Sequence, residues 1–117
     1  MFPKMPVAVL AAAVLLTAAP ARADEVRSLL DQGSYWLQLS QSSIELSGKV
    51  TARKEKCQWA RQGRGELVKA IDYYDAAERS AQGNPNWTSA ERTKLSQMVQ
   101  SVHGLLPRTD ALIQQIC

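Results

Sequence analysis

Histidine is almost absent from this chain of 117 residues, because His103 is the only one. A monomer therefore has no metal site with two histidine ligands and no second histidine to act as a catalytic base. The sequence lacks the G-x-S-x-G and C-x-x-C-H motifs, and Gly63 and Gly65 lack the third glycine of a dinucleotide loop. We find no catalytic constellation, and we expect neither an enzyme nor a bound cofactor.

Alternation of polar and apolar residues, which is typical of strands, is also missing after residue 23. This part of the chain is rich in Ala, Leu, Gln, Ser, Arg and Glu. Its apolar residues recur at spacings of three and four, which is the period of an amphipathic helix. The sequence therefore predicts an all-α protein.

The first 23 residues have the three parts of a secretory signal peptide. Lys4 gives a positive start, Val7–Ala19 contains a single polar residue, and Ala21-Arg22-Ala23 fits the small-x-small rule for cleavage. We predict that residues 1–23 are removed. Residues 24–117 are then a single exported domain, located in the periplasm or secreted.

Two alternatives to this cleavage are open. Ala19-Pro20-Ala21 fits the same rule two residues earlier, and an uncleaved leader would act as a membrane anchor. The apolar run is short for an anchor, because thirteen helical residues span about 20 Å of a hydrocarbon core that is about 30 Å thick. Its length favours cleavage, with no transmembrane segment left after processing.

Positive charge is not in large excess once the predicted signal peptide, residues 1–23, is left out of the count. The whole chain has 14 Lys and Arg against 11 Asp and Glu, a formal charge of +3. Removal of Lys4 and Arg22 with the leader leaves a charge of +1 on residues 24–117. So small a charge gives no general basis for nucleic-acid binding, and no nucleic-acid partner is expected.

Breaks in the helical pattern divide residues 24–117 into three segments and predict a small antiparallel three-helix bundle. We expect the first helix to end near Gly48 and the second to end near Ala81. The third begins where Thr88 and Glu91 match a capping box. Its apolar spacing continues past Pro107, which predicts one kinked helix or two short helices in line.

The first turn has an alternative position. The segment Gly63-Arg64-Gly65 is a stronger breaker than Gly48, so the first helix could instead run to Gln62. A break at Gly63–Gly65 or at Pro107 would give four helices in place of three.

Small residues recur every seven positions in the first two helices, and they are Gly33, Ser40 and Ser47, followed by Gly63, Ala70 and Ala77. Such repeats let two helices approach closely, so they predict a tightly packed pair. The alternative is coincidence in a chain that is rich in Ala and Ser.

Cysteine occurs only at Cys57 and Cys117. An exported protein meets an oxidising compartment, so we predict an internal disulfide between them. Two free thiols or an intermolecular bond are the alternatives.

The segment Gly33–Gly48 carries a single charge, Glu45. Across the whole first segment, from about Asp24 to Ser47, the polar wedge of the helix is only about 100° wide, and the rest of its circumference is apolar or small. Tyr35, Leu39 and Leu46 form a second stripe away from the core-facing residues. We predict that this stripe binds a protein partner or a second copy of the chain.

A basic run follows in residues 49–64, where six cations are opposed by a single acid. Lys49, Arg53, Lys56 and Arg64 fall within about 80° of one another on a helix. They predict a docking patch for an anionic surface, and the alternative is a solvated helix face.

Together these features predict a non-enzymatic interaction or adaptor module that works outside the cytoplasm. The alternative is a haem or metal carrier that uses His103 and Met98 inside a helical bundle. Their spacing of five residues puts the two side chains about 140° apart, which is unfavourable for two ligands of one iron.

Overall fold

The computed structural model describes the backbone of residues 18–117 and the burial of residues 25–117. Most of the predicted signal peptide, residues 1–17, lies outside the described residues.

Helices make up nearly all of the described chain, and residues 18–117 contain no strand. Two long helices come first, α1 at Ala18–Lys49 and α2 at Arg53–Gln82. They are followed by α3 at Ser89–His103 and α4 at Leu105–Ile116, which we together call the C-terminal arm. The predictions of an all-α protein and of three helical segments are confirmed, the third segment being interrupted.

The first turn occupies residues 50–52, directly after α1. The second helix, α2, passes through Gly63 and Gly65 without a break, so the alternative first helix that runs to Gln62 is wrong. Two glycines cost a helix about 1 kcal/mol each relative to alanine, which packing against other helices can offset. Here Gly63 is buried in such a contact, whereas Gly65 is exposed.

The C-terminal arm is interrupted at Gly104, whose φ of −65° and ψ of −17° are those of a right-handed helix. Pro107 lies in the first turn of α4 and has no N–H to donate to the carbonyl oxygen of His103. Its ring would also collide with that carbonyl group in a continuous helix. The interruption therefore falls just before the first turn that contains the proline.

The predicted start of α3 is confirmed. Thr88 Oγ1 accepts a hydrogen bond from the Glu91 backbone N–H at 3.1 Å, and Glu91 Oε1 accepts one from the Thr88 backbone N–H at 2.8 Å. This reciprocal pair satisfies two N–H groups that the first turn of the helix would otherwise leave unpaired.

The first two helices, α1 and α2, pack closely along their lengths, and their contacts run in opposite order along the chain. Gly33 near the middle of α1 lies under the ring of Tyr74, whereas Ser40 Oγ, further along α1, donates to the Gly63 carbonyl oxygen at 2.7 Å. Residues later in α1 therefore meet residues earlier in α2. We call this contact the α1–α2 seam.

Small side chains are necessary at this seam. A Cβ atom on Gly63 would lie 2.8 Å from Cδ1 of Ile44 and 3.2 Å from the carbonyl oxygen of Ser40. A Cβ atom on Gly33 would lie 3.1 Å from the ring of Tyr74. The close packing predicted from the small residues is confirmed.

The hydrophobic core lies where α1, α2 and α3 meet. Its buried members are Val26, Leu67, Ala70, Ile71, Tyr74, Ala77, Ala81, Leu95, Val99 and Val102. Burial raises the pKa of the Tyr74 phenol above its usual value of 10.0, although a hydrogen bond with Ser34 opposes the rise. The phenol is thus neutral inside the core at physiological pH.

Polar contacts and a disulfide hold the C-terminal arm on α2. The pairs are Ser96 with Glu78 at 2.6 Å, His103 with Asp75 at 2.7 Å, Arg64 with Asp110 at 2.5 Å, and Arg53 with the Ile116 carbonyl oxygen at 2.7 Å. The Sγ atoms of Cys57 and Cys117 lie at bonding distance, with their Cα atoms 5.3 Å apart. The predicted cysteine pairing is confirmed.

We expect Gly63→Ala to lower the free energy of unfolding by about 1 to 2 kcal/mol, because overpacking at the seam outweighs the gain in helix propensity. Gly65→Ala is the matched control, since a Cβ atom there meets nothing within 4 Å. It should raise the free energy of unfolding by about 0.5 to 1 kcal/mol. Urea unfolding of the two variants checks the pair, and equal effects at both positions would contradict the seam.

Replacing both cysteines by serine should lower the free energy of unfolding by about 2 to 4 kcal/mol, because the bond closes a long loop in the unfolded chain. Guanidinium unfolding of the oxidised wild type and the double variant measures the difference. A reducing agent should destabilise the wild type and leave the variant unchanged. Equal stability of the two proteins would show that the bond contributes nothing.

Candidate functional site

An open apolar groove runs between α1 and α4, beside the hydrophobic core. It exists because α4 packs against α2 and scarcely touches α1. The groove has a volume of about 520 Å³ and is open to solvent. We call it the α1–α4 groove, and its aliphatic lining consists of Leu37, Ile44, Leu67, Leu105 and Leu112.

Two opposite charges stand on the edges of this groove. Glu45 belongs to α1 and Arg108 to α4, and both side chains are exposed. Neither residue forms an ion pair with any other residue in the described part of the chain. The groove thus combines aliphatic residues with one acidic and one basic edge, and its remaining lining is polar and uncharged, from Ser40, Gln41 and Thr109.

The predicted stripe lies on a different side of α1. Leu39 and Leu46 each follow a groove residue by two positions, which places them about 200° around the helix from it. Tyr35 and Leu46 are 40% and 37% exposed, and Leu39 is half-buried. The binding of a partner to this stripe stays a prediction.

Trp36 is covered from two directions. The ring of Tyr35 meets its ring edge to face, with the centroids 5.5 Å apart. The Nζ atom of Lys69 lies 4.4 Å from its ring centroid, within the range of a cation–π contact. Trp36 also packs against the hydrophobic core, so these contacts cover part of the ring that the core leaves exposed.

Three of the four predicted docking cations have partners inside the chain. Arg53 and Arg64 bind acceptors on α4, and Lys56 Nζ donates to a carbonyl oxygen of α1 at 3.3 Å. Lys49, in the last turn of α1, is exposed. These cations help to hold the helices together, and their binding of an anionic surface stays a prediction.

The two residues of the haem or metal alternative have different environments. His103 Nε2 lies 2.7 Å from Asp75 Oδ1, whereas Met98 is 41% exposed. Within residues 25–117, no group of three or more His, Cys, Asp or Glu side chains is placed to hold a metal ion. No feature of the described residues adds support to this alternative.

Sequence reasoning missed the groove. The apolar spacing through Leu105 and Leu112 indicated that both face inward, but not which helix they face. The interruption at Gly104 was the available signal, because α4 can then take a position relative to α1 that α3 does not share. The charged edges, Glu45 and Arg108, carried no signal in the sequence.

No helix in residues 18–117 is both long enough and apolar enough to cross a bilayer. In comparisons with known proteins, no family model, no curated protein and no solved structure matches the chain.

Proposed function

We propose that this protein is an exported, non-enzymatic interaction module, built as an antiparallel helical bundle that binds a helix of a partner in the α1–α4 groove. The observation that carries the proposal is the open aliphatic lining of this groove. Aliphatic side chains that line an open groove between helices are a common feature of binding sites. An amphipathic helix laid into an apolar groove is a recurring mode of recognition.

The cysteine pair and the leader support export. Cys57 and Cys117 lie at disulfide distance, and such bonds persist in oxidising compartments outside the cytoplasm. The N-terminal residues have the charge, apolar run and small-residue rule of a secretory leader. Both features are those of a periplasmic or secreted domain.

The surface chemistry supports binding rather than catalysis. The polar groups at the groove edges, Glu45 and Arg108, are exposed and unpaired within the described residues, and neither is buried beside a nucleophile. Edge charges of this kind orient a bound partner and raise its rate of association. The aliphatic residues between them would supply the free energy of binding.

Leu112→Glu places a charge in the groove and should abolish the capture of a partner from a periplasmic or culture fraction by oxidised residues 24–117. Leu46→Glu is the matched control, because Leu46 lies on the stripe and not in the groove. Circular dichroism should show the same helix content for both variants. Loss of the partner with Leu46→Glu alone would instead assign binding to the stripe, and no loss with either would contradict the proposal.

Export predicts that the protein recovered from the producing cells is found outside the cytoplasm and begins at Asp24. Cell fractionation followed by mass spectrometry of the intact protein checks both points. The mass should also be about two units below that of the dithiol form, since a disulfide has lost two hydrogens. A cytoplasmic protein that keeps residues 1–23 would contradict export.

A further inference from the structure

We infer that the α1–α4 groove binds a second copy of the same chain, so that two copies pack groove to groove about a two-fold axis that runs along the groove. This inference rests on the proposal that the groove is a binding site, and it assigns a second copy, through its α1 and α4, in place of a single partner helix. It depends on the arrangement of the two charges at the groove edges.

The edge charges lie at nearly the same height along the bundle. Ile44, which precedes Glu45, packs beside Gly63 of α2. Asp110, which follows Arg108 by two residues, bonds to the next residue of α2. At a rise of 1.5 Å per helical residue, the two edge charges are therefore offset along the bundle by about 6 Å, little more than one helical turn.

A rotation of 180° about the groove direction exchanges the two edges. The α1 edge of one copy then faces the α4 edge of the other, and Glu45 of each copy faces Arg108 of the other. One rotation thus forms two ion pairs, because an isologous interface repeats every contact. An acidic and a basic edge about one helical turn apart make the groove complementary to itself.

The apolar lining fits the same arrangement. Leu37 and Ile44 line the α1 side of the groove, and Leu105 and Leu112 line the α4 side. The rotation brings the aliphatic residues of each side over those of the other side. Burial of this surface would stabilise the dimer, and the charge pairs would select its orientation.

Charge reversal tests this arrangement in the oxidised protein, residues 24–117, by analytical ultracentrifugation over a range of concentrations. The wild type should dimerise. Each single reversal, Glu45→Arg or Arg108→Glu, places like charges together twice and should weaken dimerisation by about tenfold or more. The double variant Glu45→Arg/Arg108→Glu restores opposite charges and should dimerise within about threefold of the wild type.

A monomeric wild type at every concentration would overturn the inference and leave the proposed function to the capture experiment with Leu112→Glu. Failure of the double variant to recover would overturn the groove-to-groove arrangement. Single reversals that lower the unfolding temperature of the dilute monomer but leave dimerisation unchanged would show that Glu45 and Arg108 interact within one chain. That result would also overturn the inference. Loss of the dimer with Leu46→Glu alone would assign dimerisation to the stripe instead.

Discussion

At Gly63 the backbone of α2 lies directly against the Ile44 side chain of α1, and the Gly63 carbonyl oxygen accepts a hydrogen bond from Ser40. At the seam, Gly63 and Gly33 receive the large side chains of Ile44 and Tyr74, and further apolar residues of α1 lie on its two flanks. Leu37 and Ile44 border the groove, whereas Trp36 packs on the other flank under Lys69. The close approach of two helices thus determines where apolar surface is left for a third helix or a partner.

The C-terminal arm covers only part of that surface. The first half of the arm, α3, completes the core with α1 and α2. After the interruption at Gly104, α4 is held on α2 by Arg64, by Arg53 and by the disulfide. All of these contacts pull α4 toward α2, and none pulls it toward α1. The groove is therefore a consequence of how the arm is fastened.

Local features of the chain were predictable, and relations between distant elements were less so. The small residues at the seam, the capping box at Thr88 and the cysteine pair each follow from spacing and residue type. The hydrogen bonds of Arg53 and Arg64 do not follow from spacing or residue type, because their acceptors lie on α4, 63 and 46 residues away in the sequence. The periodicity of the sequence places Leu112 on the inner side of its helix, but it gives no information about the distance between α4 and α1.

Cys57 and Cys117 lie 60 positions apart in the sequence, and under the proposed export this separation also constrains the order of events after synthesis. In a chain that crosses a membrane from its N-terminus, α1 and α2 emerge first and can form the seam while Cys57 is still a lone thiol. During that interval, the thiol is free to react with other thiols or disulfides in the new compartment. In such a chain, oxidation within the chain becomes available only when α4 arrives, so correct pairing would depend on how quickly translocation finishes.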